Sequence, residues 1–269
     1  MSKIGEAIHT IHYMDAMAAQ EKWINQLHPL SKLLVTVWFI VSVLSFHKYD
    51  FLGLAGMGIY LLMIFMLGEI PAGRCLRQMK MILLIVCAVG IANPFLDRTT
   101  VVYLGEVAVS GGVVSMGTLM LKGVFAVLAS YSLIVTTSVE EICYALRLLH
   151  VPKTFVTVLL LIYRYIIVLL KETQRIMLAY EMRAPGQKGI HMKAWGSLAG
   201  QLLLRSIDRA QLVYESMILR GFDGGFRGNA AYPKKRSILY AVCWIFVLLI
   251  FRMVPVFVLA GNIVDSLIR

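Results

Sequence analysis

The sequence predicts an all-α membrane protein with about five transmembrane helices and long amphipathic helices on the cytoplasmic side. Of its 269 residues, 59% are hydrophobic and only 15% are charged, whereas soluble domains are about a quarter charged. Five uncharged apolar runs alternate with polar loops. The third observation is a long basic segment, since residues 171–236 hold twelve lysines and arginines. Such a segment is expected to lie on the cytoplasmic side.

The five apolar runs are the candidate spans, because a bilayer core needs about 20 residues of helix and flanking polar side chains can snorkel to the interface. They are Leu33–Phe46, Phe51–Gly68, Met81–Leu96, Gly123–Val139 with an extension back to about Gly112, and Ser237–Phe251 with an extension to about residue 260. The first fifteen residues lack the pattern of a signal peptide. We therefore expect the first span to direct insertion and no segment to be removed.

Loop charges predict the orientation, because cytoplasmic loops are enriched in lysine and arginine. The loop 69–80 and the basic segment should be cytoplasmic, the stretch 97–111 should face outward, and the N-terminus should be cytoplasmic. A further apolar run, Thr154–Leu170, carries Arg164 in its middle. If this run crossed the membrane, the basic segment would lie outside, so we predict that it does not cross. The expected location is the cell membrane, with several spans.

Three segments follow as domains: a membrane domain of four spans at 1–137, a cytoplasmic module at 138–236, and a last span at 237–269. Ser138 and the acidic Glu140 predict the start of a short amphipathic helix. A long helix then runs from about Pro152 to Arg183 and ends at the breaker RAPGQKG. A second long helix runs from about Met192 to Leu219, and Gly221 supplies the left-handed residue that commonly ends a helix.

Both long helices carry basic residues at helical spacing and terminate at an arginine. The periodic basic positions are Arg164, Arg175, Arg205 and Arg209. Arg183 and Arg220 stand at the two ends, where a cation can simply complement the helix dipole. Polar periodic helices of this kind also suit binding to a partner or to the membrane surface. The matching pair of end arginines favours partner binding.

The pair of helix ends resembles that of the transmembrane T component of energy-coupling factor (ECF) transporters, the EcfT/CbiQ family. That family carries two short Ala-Arg-Gly-like motifs at the ends of two long cytoplasmic coupling helices. The corresponding residues here are Arg183 and Ala184 in EMRAPG, and Arg220 and Gly221 in ILRGFDGG. Met182 and Leu219 replace the alanine of the motif, and Ala184 replaces the first glycine.

Other stretches share the resemblance over most of the chain. They are YMDAMA (13–18), LHPLSKLL (27–34), ANPF (92–95), TTS (136–138) and VPKTF…LLLIYRY (151–165). The first of these is similar to the cobalt branch, CbiQ, so cobalt ion is the expected substrate. A vitamin or another metal is the alternative.

The resemblance implies a scaffold without catalytic activity and without a cofactor. Two cytoplasmic ATPase subunits are expected to bind the coupling helices, with Arg183 and Arg220 each seated in a groove of one ATPase. A separate membrane S component is expected to bind the substrate. An arginine suits such a role because its guanidinium is always charged and presents a rigid fork of donors.

Other function classes have weaker support in the residues. No phosphate-binding GxxxxGK[ST] loop is present, so ATP must be handled by another chain. His9, His12 and Asp15 stand at helical spacing, which is weak evidence for a metal site. A membrane-embedded enzyme acting on lipid-like substrates would need clustered acids or histidines, and a secondary transporter would show repeated halves. The net charge of +11 follows from topology and does not indicate nucleic-acid binding.

Overall fold

The computed structural model describes residues 3–20, 22–47, 50–96, 100–104, 107–186, 189–225 and 232–253. Within these ranges the chain forms nine helices and one two-stranded hairpin. In chain order the elements are α1 (Lys3–Ala18), α2 (Pro29–Leu44), α3 (Phe51–Leu67), α4 (Ala72–Leu96), β1 (Thr100–Leu104), β2 (Val107–Ser110), α5 (Gly111–Thr136), α6 (Val139–Leu148), α7 (Lys153–Arg183), α8 (Met192–Leu219) and α9 (Lys234–Met253).

The predicted class, an all-α membrane protein, is confirmed. The five predicted spans correspond to α2, α3, α4, α5 and α9. Among the described helices, α5, α7 and α9 are long and apolar enough to cross a membrane, and α2, α3 and α4 carry shorter apolar segments. Length and composition alone therefore do not exclude α7, whose cytoplasmic placement stays a prediction. The part of the last predicted span beyond Met253 lies outside the described residues.

Two short strands precede the fourth predicted span. Strands β1 and β2 pair antiparallel, with Tyr103 opposite Ala108 and Leu104 opposite Val107. Helix α5 then begins at Gly111. The alternation of β-branched residues in TVVYL and VAVS favours strand pairing on both sides of a short turn.

The chain divides into two compact units. The membrane unit comprises Met17–Ser138 and Ala231–Arg269, and it contains α2 to α5, the hairpin and α9. The coupling unit comprises Met1–Ala16 and Val139–Ala230, and it contains α6, α7, α8 and most of α1. The sequence prediction had instead placed residues 1–16 in the N-terminal membrane domain.

Aromatic side chains fill the centre of the membrane unit. Phe39 packs on Tyr60 with ring centroids 4.6 Å apart, and Tyr60 meets Trp244 edge-on at 4.9 Å. Helices α4 and α5 approach closely at Gly123, where a Cβ would clash with Cγ1 of Val86. A larger residue at position 123 would therefore push the two helices apart.

Lys122 and Arg252, which fall inside predicted spans, bind the C-terminal end of α2. The Lys122 ammonium donates to the carbonyl oxygen of Phe46 at 2.5 Å, and the Arg252 guanidinium donates to that of Ser45 at 3.1 Å. The last carbonyls of a helix lack partners within the helix and carry partial negative charge. Both cations thus have a structural role at a helix end.

Candidate partner-docking site on the coupling helices

Helix α7 begins and ends where its local sequence dictates. Pro152 is its N-cap, and the first helical residue is Lys153. The helix continues to Arg183, and Ala184 leaves the helical region with φ −127° and ψ 64°. The N–H of Ala184 still donates to the carbonyl oxygen of Tyr180 at 3.1 Å. Pro185 and Gly186 follow directly, so Arg183 is the last helical residue before a sharp turn.

Helix α8 ends in a glycine cap that places Arg220 at the boundary. Arg220 is the C-cap residue, and Gly221 has φ +71°. The N–H of Phe222 donates to the carbonyl oxygen of Met217 at 3.0 Å, the long-range bond of a Schellman motif. The positive φ confirms the predicted left-handed role of Gly221. A residue with a side chain would be strained in this conformation.

Helices α7 and α8 run antiparallel within the coupling unit. The Thr157 hydroxyl, near the start of α7, donates to the carbonyl oxygen of Gly224, just past the end of α8, at 3.1 Å. Further along, Glu172 of α7 forms an ion pair with Arg205 of α8. The two end arginines therefore lie at opposite ends of the helix pair. At 1.5 Å per residue their separation is on the order of 30–40 Å.

Both end arginines are exposed, and neither forms an ion pair or a side-chain hydrogen bond with any residue that the structure describes. Ala184 is half-buried, and Gly221 is exposed. Each arginine is preceded by an exposed apolar residue, Met182 or Leu219. The two helix ends therefore present a cation and an apolar side chain together, without an intramolecular partner among the described residues.

The periodic basic residues are distributed among three different environments. Arg205 pairs with Glu172, and the Arg175 guanidinium lies 3.6 Å from the same carboxylate. Arg164 lines a crevice between α6 and α7, and Arg209 lines a groove between α7 and α8. Sequence reasoning did not identify Glu172 as the shared partner of Arg175 and Arg205. The spacing of three residues between Glu172 and Arg175 is a signal for a pair within α7. The sequence contains no comparable signal for the contact with α8.

The groove between α7 and α8 is apolar and has a volume of about 670 Å³. Its walls are largely aliphatic and aromatic side chains, which include Leu161, Ile166, Val213 and Met217. A mostly apolar cleft of this volume is in the size range of binding sites.

The crevice between α6 and α7 has a mixed polar character and a volume of about 250 Å³. Cys143 of α6 is buried beside it, next to Glu140. Burial raises the pKa of the Cys143 thiol, and the nearby Glu140 carboxylate raises this pKa further. The thiol is therefore a poor nucleophile at neutral pH.

The N-terminal residues considered for a metal site do not converge. The Tyr163 hydroxyl of α7 donates a hydrogen bond to the Asp15 carboxylate of α1. His9 and His12 are exposed. Among the residues described, no three histidine, cysteine, aspartate or glutamate side chains are grouped closely enough to hold a metal ion. Asp15 and Tyr163 instead join two of the stretches on which the resemblance rests.

Comparison with known proteins identifies the family. Residues 20–232 match the family CbiQ, described as "Cobalt transport protein". An uncharacterised protein of Methanocaldococcus jannaschii is 31% identical over 149 residues, which make up 54% of this chain and 54% of that protein. A protein of Methanocorpusculum labreanum described as a fused cobalt transport protein CbiMQ is 30% identical over 95 residues, 35% of this chain and 16% of that protein. The matched segments thus span about half of the first relative and about a sixth of the second. Because the family match extends over most of the sequence, the chain belongs to the CbiQ cobalt transport protein family.

Proposed function

We propose that this chain is the T component of an ECF-type ABC importer for cobalt ion. In this role it couples ATP hydrolysis by two separate ATPase subunits to uptake through an S component, and it performs no catalysis itself. It resides in the cell membrane, with its N-terminus and the coupling unit in the cytoplasm. Membership of a cobalt transport family supports the transport role and the substrate.

One observation is the main support for the coupling role. The antiparallel pair of α7 and α8 ends in two exposed arginines that have no partners among the described residues. A separation on the order of 30–40 Å is too large for one groove and suits one contact with each of two subunits. A guanidinium at a helix end can donate to carboxylates and carbonyls of an ATPase groove. The helix behind it can transmit a displacement toward the membrane.

The apolar groove between α7 and α8 is the proposed contact with the S component. It lies between the two arginine-bearing ends, and its mostly apolar walls suit an apolar partner surface. Val213 lines this groove, so Val213→Asp would place a charge at the contact. The variant should lose the S component while it keeps both ATPases. If the Val213→Asp variant retains the S component, the groove is not the contact with that subunit, and lipid is its occupant.

The coupling role is tested by cobalt uptake in vesicles that contain the complete complex. The variant Arg183→Ala/Arg220→Ala should lower ATP-dependent uptake of radiolabelled cobalt at least tenfold, because charge-assisted hydrogen bonds contribute about 1.5–3 kcal/mol each. The rate at which the ATPase subunits release phosphate should be the same with the double variant as without any T component.

Lys171→Ala is the matched control, since Lys171 is an exposed cation near the middle of α7, away from both arginine-bearing ends of the helix pair. This variant should transport like the unchanged complex. Full uptake and normal assembly of the double arginine variant would contradict the proposed coupling role.

A further inference from the structure

Met182 and Leu219, the residues immediately before the two end arginines, have the most exposed large apolar side chains among the described residues. Met182 is 85% exposed and Leu219 is 88% exposed. Removing such side chains from water is favourable, so a folded chain usually buries part of them. Their exposure at both helix ends, each next to an arginine without a described partner, calls for a common explanation.

We propose that Met182 and Leu219 are apolar anchors of the two docking sites, each received by an apolar pocket of an ATPase subunit beside the groove that takes the arginine. This inference rests on the proposed coupling role of α7 and α8. The occupant is the ATPase because each anchor is covalently adjacent to its arginine. A partner that binds the cation must therefore also cover the neighbouring side chain.

Each anchor belongs to a small apolar patch on its own helix. Leu178 precedes Met182 by four residues and is also exposed, and Leu212 precedes Leu219 by seven residues and is exposed too. Spacings of four and seven place both members of each pair on the same helix face. A partner that covers the helix end thus meets an apolar patch with a cation at its tip. Central apolar anchors beside a charged rim are typical of binding hot spots.

The two docking sites are not equivalent in shape. Arg183 is the last helical residue of α7, whereas Arg220 is the C-cap residue of α8. Met182 is unbranched and adaptable, while Leu219 is branched and stiffer. The alanine of the Ala-Arg-Gly-like motif would fill neither pocket. Met182 and Leu219 therefore determine which ATPases this chain accepts.

The test is the affinity of the purified ATPase subunits for the full chain in lipid nanodiscs. Met182→Ala and Leu219→Ala, with both arginines intact, should each weaken binding about tenfold to a hundredfold, as expected for the loss of one buried apolar side chain. Met182→Leu conserves volume and should stay within about threefold of the unchanged chain. Met182→Gln conserves length but adds a polar group, so it should behave like the alanine variant.

Leu204→Ala is the matched control, because Leu204 is 64% exposed but lies near the middle of α8, away from both arginine-bearing ends of the helix pair. It should bind the ATPases like the unchanged chain. An equal loss in Leu204→Ala would overturn the assignment of specific anchors.

The outcomes separate this inference from the proposed function. If Arg183→Ala/Arg220→Ala abolishes binding while Met182→Ala and Leu219→Ala bind normally, the anchors are wrong and the coupling role stands. If all of these variants bind normally, both proposals are wrong. Normal ATPase binding by the anchor variants, together with weaker attachment of the coupling unit to lipid, would assign both side chains to the membrane surface and overturn the inference.

Discussion

The buried Lys32 ammonium of α2 donates a hydrogen bond of 2.8 Å to the carbonyl oxygen of Thr136, the last residue of α5. It also donates to the carbonyl oxygen of Asn25 at 3.2 Å. Lys32 belongs to the PLSK stretch and Thr136 to the TTS stretch, so two distant patterns of the family resemblance meet at one contact. The contact fixes the end of α5 just before the chain enters the coupling unit.

Lys32→Met should lower the thermal stability of the protein in detergent. The substitution keeps an apolar stem of similar length but leaves the buried Thr136 carbonyl without its donor, at a cost of about 1–3 kcal/mol. A thermal unfolding scan monitored by size-exclusion chromatography measures the effect. Lys80→Met changes an exposed lysine of α4 and should leave the midpoint unchanged. Equal midpoints for the two variants would show that the Lys32 contact contributes nothing.

The ion pair between Glu172 and Arg205 should couple α7 to α8 weakly. Because the Arg205 side chain is 58% exposed, a double-mutant cycle of Glu172→Gln and Arg205→Gln should give an interaction energy of about 0.2–1 kcal/mol. The energy should decrease in high salt, since exposed charges are screened. Asp208→Asn is the control for loss of an exposed acid on α8. A coupling energy of zero at low salt would exclude this pair as a link between the helices.

Single-cysteine labelling should distinguish the two possible paths of α7. In a chain whose four native cysteines are replaced by alanine, Asp50→Cys should react with an impermeant maleimide in intact cells, because this exposed position follows the end of α2 that is predicted to face outward. Lys193→Cys should react only after the cells are opened. Labelling of Lys193→Cys in intact cells would mean that α7 crosses the membrane and that the predicted orientation is wrong.

The reaction of Cys143 with maleimide should require a higher pH than the reaction of an ordinary thiol. Because burial and Glu140 raise the pKa of this thiol, the thiolate is scarce at neutral pH, and maleimide labelling should accelerate up to a higher pH than for an ordinary thiol. Glu140→Gln should lower the pKa and increase the rate at a fixed pH. A single cysteine at the exposed position 197 serves as the ordinary reference. Identical pH profiles at 143 and 197 would contradict the raised pKa.

Local sequence signals predicted the coupling helices well. The ends of α7 and α8 agree with the predicted ends within one residue, because Pro152, the Pro185-Gly186 pair and Gly221 terminate helices by their own backbone preferences. The apolar runs likewise located the five helices of the membrane unit. These signals act within a few residues of where they occur.

Contacts between distant segments could not be predicted in the same way. The pairing of Glu172 with Arg205, and the capping of α2 by Lys122 and Arg252, depend on which helices become neighbours. Periodicity gives the face of a helix but not its partner. The hairpin of β1 and β2 was not predicted either.

Native mass spectrometry of the complex, purified from membranes through a tag on this chain, tests the coupling account most directly. We expect one copy of the chain with two ATP-binding subunits and one further membrane protein. In the variant Arg183→Ala/Arg220→Ala, the ATP-binding subunits should be lost and the membrane protein retained. A complex that lacks ATP-binding subunits in the unchanged chain, or keeps both of them in the double variant, would contradict the account.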